Sequence, residues 1–114
     1  MPTVESHFTK CDPDVLATYQ RLLGAARALG QVAEESKKTS IHLVRDSAFA
    51  GIATRRTSLI LTLKSAKDIR SRRIERRERP SAHRWHVEVR LEKPVDVDRQ
   101  LRDWLAAAYE LAGR

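Results

Sequence analysis

The chain has 114 residues, of which 41% are hydrophobic and 32% charged, and its formal net charge is +7. This length supports one core, so we expect a single domain over residues 1–114 with an N-terminal arm over residues 1–10. The single cysteine, Cys11, excludes an intrachain disulfide and favours a reducing compartment. No stretch resembles a secretory signal or approaches the ~18 apolar residues of a membrane span, so we expect a soluble cytoplasmic protein without a membrane partner.

The first predicted element is an amphipathic helix over residues 13–29. Asp12 is a candidate cap, and Pro13 suits the first helical position. Gly30 is expected to end the helix in a left-handed conformation. The apolar residues recur at spacings of one, three and four, which places them in one stripe: Val15, Leu16, Tyr19, Leu22, Leu23, Ala26 and Leu29.

Short β segments are predicted over residues 41–45, 48–53 and 57–65. In the third segment Leu59, Leu61 and Leu63 alternate with other side chains, the period expected for a strand with one buried face. Residues 31–38 allow one further short strand at an edge of the sheet.

The next stretch, residues 72–79, is dominated by charge, and as a strand it would lie at a sheet edge, where charge discourages intermolecular pairing. Pro80 and Ser81 are expected to break it. Residues 83–92 form a clearer strand, in which every second residue is apolar: Trp85, Val87, Val89 and Leu91.

A second amphipathic helix is predicted to start within residues 94–98, with Asp96 as its cap, and to end at Gly113. The predicted fold class is therefore α+β: an antiparallel sheet of four to six strands with the N- and C-terminal helices packed on its apolar face. The opposite face is a candidate surface for binding or self-association, and its polar patch consists of His42, His86, Glu88 and Arg90.

The order of elements and several local motifs resemble the DUF5655 family, a domain of unknown function. The motifs are Lys37–Leu43, Ser47–Gly51, Ser81–Leu91, Val97-Asp98 with Trp104-Leu105, and Ala108-Tyr109. The similarity extends over roughly residues 10 to 112. Because members of that family occur alone or attached to nuclease-like and other domains, the resemblance implies a compact accessory or binding module of bacterial origin.

The chain is also distantly similar to the YdhG-type DUF1801 domains, some of which are described as iron chaperones. That resemblance implies a small-ligand or metal binder as one alternative. An iron-binding surface of that kind uses clusters of carboxylates, whereas this chain is basic.

The sequence predicts no metal, no cofactor and no catalytic residue. The candidate ligands are His7, His42, His83, His86 and Cys11, and their spacing does not match a zinc site. His42 and His86 would meet only if their strands were neighbours. Cys11 lies beside a predicted helix start but has only His7 nearby as a base.

Arginine supplies 16 of the 22 basic residues, and seven lie in residues 70–84 against Glu75 and Glu78. A GC-rich coding bias would explain this composition without any function. A polyanionic partner would instead give the arginines a role in binding, and both interpretations stay open. The leading hypothesis is a non-catalytic module that binds an anionic partner such as nucleic acid. Its predicted contacts are Arg55, Arg56, Arg70, Arg72, Arg73, Arg76, Arg77 and Arg79.

Two alternatives remain beside this hypothesis. One is a protein–protein or homodimerisation module that uses the open sheet face. The other is the small-ligand or metal binder.

Overall fold

The computed structural model describes residues 2–113, and over this range the chain forms two α-helices and one six-stranded antiparallel sheet. The helices are α1, Pro13–Arg27, and α2, Arg99–Ala112. The strands β1 to β6 are Ala33–Ser36, Ile41–Val44, Ala48–Thr54, Leu59–Ser65, Ile74–Ser81 and Arg84–Leu91. Short 3₁₀ turns lie at Glu5–Phe8 and Pro94–Asp96. The predicted α+β class, with both helices packed against an open sheet, is confirmed.

The strand order in the sheet is β1-β2-β3-β4-β6-β5. Successive strands pair up to β4, and β6 then lies between β4 and β5. Residues 66–73 connect β4 to β5 across β6, and Ile69 of this connection packs against the core. The two edges are therefore β1 and β5, as predicted for both segments.

The core forms where β4 and β6 pair. Leu59, Leu61 and Leu63 lie opposite Leu91, Val89 and Val87, and all six are at most 1% exposed. Leu22 of α1 and Leu101 and Leu105 of α2 are fully buried in the same cluster. The predicted apolar face is thus the one the helices cover.

Trp85 is the exception to the predicted apolar row of β6. It is only half-buried and lies outside the core cluster. The Arg79 guanidinium lies 5.4 Å from the centre of its ring.

A β-bulge between β2 and β3 adds one large residue to the core. Leu43 pairs with Ala50 and Val44 pairs with Ala48, so Phe49 is the extra residue on β3. Both Phe49 and Ala50 are buried as a result, and Phe49 packs edge-on against Tyr109 of α2 at 5.2 Å.

The ends of the first helix differ from the prediction. Helix α1 ends at Arg27, so Leu29 lies beyond it and is 40% exposed, and Leu16 is 38% exposed on the outer side. Asp12 occupies the N-cap position, but its side chain accepts no capping hydrogen bond within residues 2–113.

The second helix and the arginine-rich strand also begin or end elsewhere. Asp98, not Asp96, caps α2 by accepting from Leu101 N at 3.0 Å. Asp96, the last residue of the preceding 3₁₀ turn, accepts from the backbone N–H groups of Glu92 and Lys93. Strand β5 continues through Pro80 to Ser81, because an edge strand needs no partner for the missing N–H.

The N-terminal segment is partly anchored. Phe8 is buried and its ring lies 5.1 Å from that of Tyr19. Met1 of the predicted arm lies outside the described residues.

Desolvation by burial, followed by the hydrogen bond to Glu34, raises the pKa of the Tyr19 phenol well above its ordinary value. The phenol therefore stays a hydrogen-bond donor and holds α1 to β1.

Tyr109 of α2 fixes the loop that follows α1. Its hydroxyl donates to the Gln31 carbonyl at 3.0 Å, and the Arg45 guanidinium lies 4.4 Å above its ring. Gly30 has a φ of +154°, and a Cβ at this position would collide with the Tyr109 hydroxyl. Gly30 is thus required three residues beyond the helix end rather than as its cap.

Replacing Gly30 should test this contact. We expect Gly30→Ala to lower the free energy of unfolding by about 1–3 kcal/mol, because it combines an unfavourable φ with the collision. Gly24→Ala is the matched control. Gly24 is exposed within α1, and a Cβ added there would meet no other atom within 4 Å, leaving aside its own helix backbone. The change should therefore stabilise the protein by up to about 1 kcal/mol. Urea denaturation measures both, and equal effects at the two positions would contradict the account.

The Asp98 cap should make stability depend on pH. The backbone hydrogen bond from Leu101, followed by the Arg73 guanidinium, lowers the pKa of the Asp98 carboxyl below its ordinary 3.8. This stabilisation is present above pH 3.8 and is lost as the pH falls through the lowered pKa.

Asp98→Asn keeps a capping side chain but removes the charge. We therefore expect the variant to be less stable than the parent at pH 7, and the difference in unfolding free energy to shrink as the pH falls below 3.8. Asp103→Asn, on the same helix and without an ion pair to any of residues 2–113, is the control. A difference at pH 7 that persists unchanged in acid would refute the role of the carboxylate.

Candidate functional site

The sheet face opposite the helices, which we call the open face, is not covered by any element of residues 2–113. One row of paired residues crosses it from edge to edge: Glu35, His42, Gly51, Thr62, Glu88 and Arg76. His86 and Arg90 flank Glu88 along β6. All four residues of the predicted polar patch therefore share this face.

The two histidines of this patch do not meet. His42 is on β2 and His86 on β6, and β3 and β4 lie between them. Three strand spacings amount to about 14 Å, too far for one ion to bind both imidazoles. The separation of the two histidines could not be predicted from the sequence, because it depends on the order of strands in the sheet.

A groove of about 300 Å³ lies on the open face. The groove forms because β3 presents small residues on this face, Gly51 and Ala53 among them. The rim carries Ser40, His42, Lys64 and His86. The full lining is Ser40, His42, Ala48, Phe49, Ala50, Gly51, Ile52, Ala53, Thr62, Leu63, Lys64 and His86.

The groove is apolar on its floor and free of negative charge among its described lining residues. Lys64 donates to the Ser47 hydroxyl at 3.2 Å and has no carboxylate within 4.0 Å among residues 2–113. Two carboxylates near the groove in register are held by cations, Glu35 by Lys37 at 3.3 Å and Glu78 by Arg76 at 3.5 Å. A third, Glu88, pairs with Thr62 but does not line the groove. The groove therefore presents an ammonium and two imidazoles beside an apolar floor.

Gly51 leaves the centre of the groove empty. A Cβ at this position would meet His42 Cδ2 at 3.8 Å and Thr62 Cβ at 4.0 Å, which are ordinary van der Waals contacts. A larger side chain at residue 51 would thus occupy the groove without displacing the strands.

The arginine-rich strand is compensated by acidic neighbours. Asp68 lies between two arginines, with Arg70 Nε at 2.9 Å from one oxygen and Arg77 Nε at 3.0 Å from the other. Arg73 pairs with Asp98 at 2.8 Å and also lies 5.7 Å from the Trp104 ring. Arg76 pairs with Glu78, so four of the eight predicted contact residues already have a carboxylate partner.

The predicted arginines do not form one surface. Arg76 is paired with Glu88 on the open face, whereas Arg77 is paired with Val87 on the helix-covered face. Arg79 lies over Trp85, and Arg72 is exposed in the loop before β5.

Arg55 and Arg56 belong to the turn between β3 and β4, and the structure brings them to a different group of residues. They line a second cavity, of about 440 Å³, together with His7, Lys10, Cys11 and Thr54. Sequence alone groups these two arginines with the arginine-rich strand and gives no sign of Lys10, because the contact between the turn and the N-terminal segment is non-local.

Metal binding has no candidate cluster within residues 2–113, where no three His, Cys, Asp or Glu side chains lie close enough to share an ion. Neither helix of this range is long and apolar enough to cross a membrane.

The architecture is that of a small α+β domain with one open sheet face. The DUF5655 family model, described as a domain of unknown function, matches residues 4–112, so the chain belongs to the DUF5655 family. Neither the curated proteins nor the solved structures contain a match.

Gly51→Ala should be tolerated, since the added methyl makes only ordinary contacts. We expect a change in unfolding free energy within about 1 kcal/mol and an unchanged circular dichroism spectrum. A loss of several kcal/mol would show that the open face at Gly51 is more tightly packed than described.

Proposed function

We propose that this chain is a non-catalytic binding module whose ligand site is the groove on the open face. The proposed ligand is a small organic anion with an apolar body. The observation that carries the proposal is the lining of the groove, an apolar floor beside Lys64, His42 and His86, with no carboxylate among the lining residues of the described chain.

The size of the groove supports a small ligand. Sites for small molecules typically measure about 300–1,000 Å³ and combine apolar walls with a few polar groups, and this groove lies at the lower end. Burial of an apolar body against the floor would contribute about 25 cal/mol for each Å² removed from water.

The charge of the rim supports an anion. The Lys64 ammonium is oriented by the Ser47 hydroxyl but not neutralised by a described carboxylate, so it is available to a ligand. An ion pair at such a partly exposed site is worth about 0.2–1 kcal/mol, which favours an anion without binding it alone. Affinity would therefore come from the floor and selectivity from the rim.

Nucleic-acid binding through the arginine-rich strand stays a prediction. The carboxylate partners of Arg70 and Arg73, just before β5, and of Arg76 and Arg77 within it reduce the charge that this region offers to a polyanion. The groove proposal keeps an anion as the ligand, but it moves the proposed binding site from the arginine-rich strand to the open face. Self-association through the open face is an alternative outcome, which light scattering across micromolar concentrations would reveal.

The test uses two fluorescent probes, anilinonaphthalene sulfonate and its uncharged relative N-phenylnaphthylamine. We expect Gly51→Val to weaken binding of both probes by about tenfold or more, because the side chain fills the floor. Lys64→Gln should weaken only the sulfonate probe, by up to about fivefold, because it removes only the ammonium.

Two controls make the result specific. Lys67→Gln removes the same charge from an exposed loop position outside the groove and should leave both affinities unchanged. Circular dichroism verifies that each variant is folded. Equal probe binding by a folded Gly51→Val variant and the parent would refute the proposal.

A further inference from the structure

A second group of cationic residues lies at the end of the sheet where β3 turns into β4. Its cavity, which we call the basic pocket, is lined by His7, Lys10, Cys11, Thr54, Arg55 and Arg56. One wall is the turn after β3, and the other is the segment that precedes α1. The basic pocket does not share a lining residue with the groove.

Hydrogen bonds hold the two walls of the basic pocket together. The Asp12 amide donates to the Arg56 carbonyl at 2.8 Å, and the Thr54 hydroxyl donates to the His7 carbonyl at 2.9 Å. His7 Nε2 lies 3.0 Å from the Ser36 hydroxyl, and the buried ring of Phe8 anchors the same segment. The pocket is therefore built into the fold, although its cationic side chains are exposed.

The three cations of the basic pocket differ from those of the arginine-rich strand. Lys10, Arg55 and Arg56 have no carboxylate within 4.0 Å among residues 2–113, and no lining residue of the pocket in that range is acidic. Three like charges around one cavity repel one another, and a bound anion would relieve the repulsion.

We infer that the basic pocket binds an oxyanion of the phosphate class. Guanidinium groups donate paired hydrogen bonds that match phosphate oxygens, and the Lys10 ammonium adds a third cation to the lining of the same cavity. Glu5, Asp12 and Asp14 lie within a few residues of Lys10 in the chain, so Lys10 is not part of a longer run of basic residues. A single phosphate group therefore fits better than a long stretch of nucleic acid.

The test is a titration of the whole chain with inorganic phosphate at constant ionic strength, followed by amide NMR shifts. We expect shifts centred on residues 54–56 and 7–11, and a dissociation constant that rises about tenfold or more in the double variant Arg55→Gln/Arg56→Gln. The double variant Arg21→Gln/Arg99→Gln removes the same charge from exposed helix positions outside the pocket and should change the constant less than about twofold.

Three outcomes would overturn the inference: no saturable shift, shifts spread over all basic residues, or equal weakening in the two double variants. Gly51→Val separates this site from the groove, since it should leave phosphate binding intact whether or not the groove binds its own ligand.

The source of the phosphate is distinguished by a second arm, a short single-stranded oligonucleotide without terminal phosphates. Binding that is lost in the Arg55→Gln/Arg56→Gln variant assigns the pocket to a phosphodiester backbone. If the oligonucleotide does not bind, while binding of inorganic phosphate still depends on Arg55 and Arg56, the pocket is assigned to a small phosphorylated ligand.

Discussion

The fold depends on one contact, the pairing of the leucine row of β4 with the apolar row of β6. These residues are almost completely inaccessible, and both helices bury their stripes against them. Because side chains alternate along a strand, the burial of Leu59, Leu61 and Leu63 sends Ile60, Thr62 and Lys64 to the other face. The core therefore determines which residues the protein presents on its open face.

Sequence periodicity predicted most of this arrangement, since a period of two and a period near 3.6 are local properties. Features that depend on distant partners were missed. Strands β3 and β4 separate His42 from His86, and the bulge at Phe49 places an extra ring in contact with Tyr109. Trp85 has the right parity for the core, but it pairs with the last residue of β4 and stays half-buried outside the core cluster.

The candidate sites show the same division between local and non-local information. The number of arginines was evident, but their carboxylate partners come from other elements, such as Asp98 for Arg73. Lys10 joins Arg55 and Arg56 only because the N-terminal segment docks beside a turn some 45 residues away in the chain. Gly51 was noted only as part of a family motif, and its place at the centre of the groove depends on the strands to either side.

The position of β6 also has a consequence for the order in which the chain assembles. Strand β5 pairs with β6 within the described sheet and with no other strand there, yet β6 follows it in the chain. During synthesis, β1 to β4 can pair as soon as they emerge, whereas the arginine-rich segment must wait for residues 84–91. Its many charges would keep it hydrated during that interval, and they would oppose misassociation with other nascent chains.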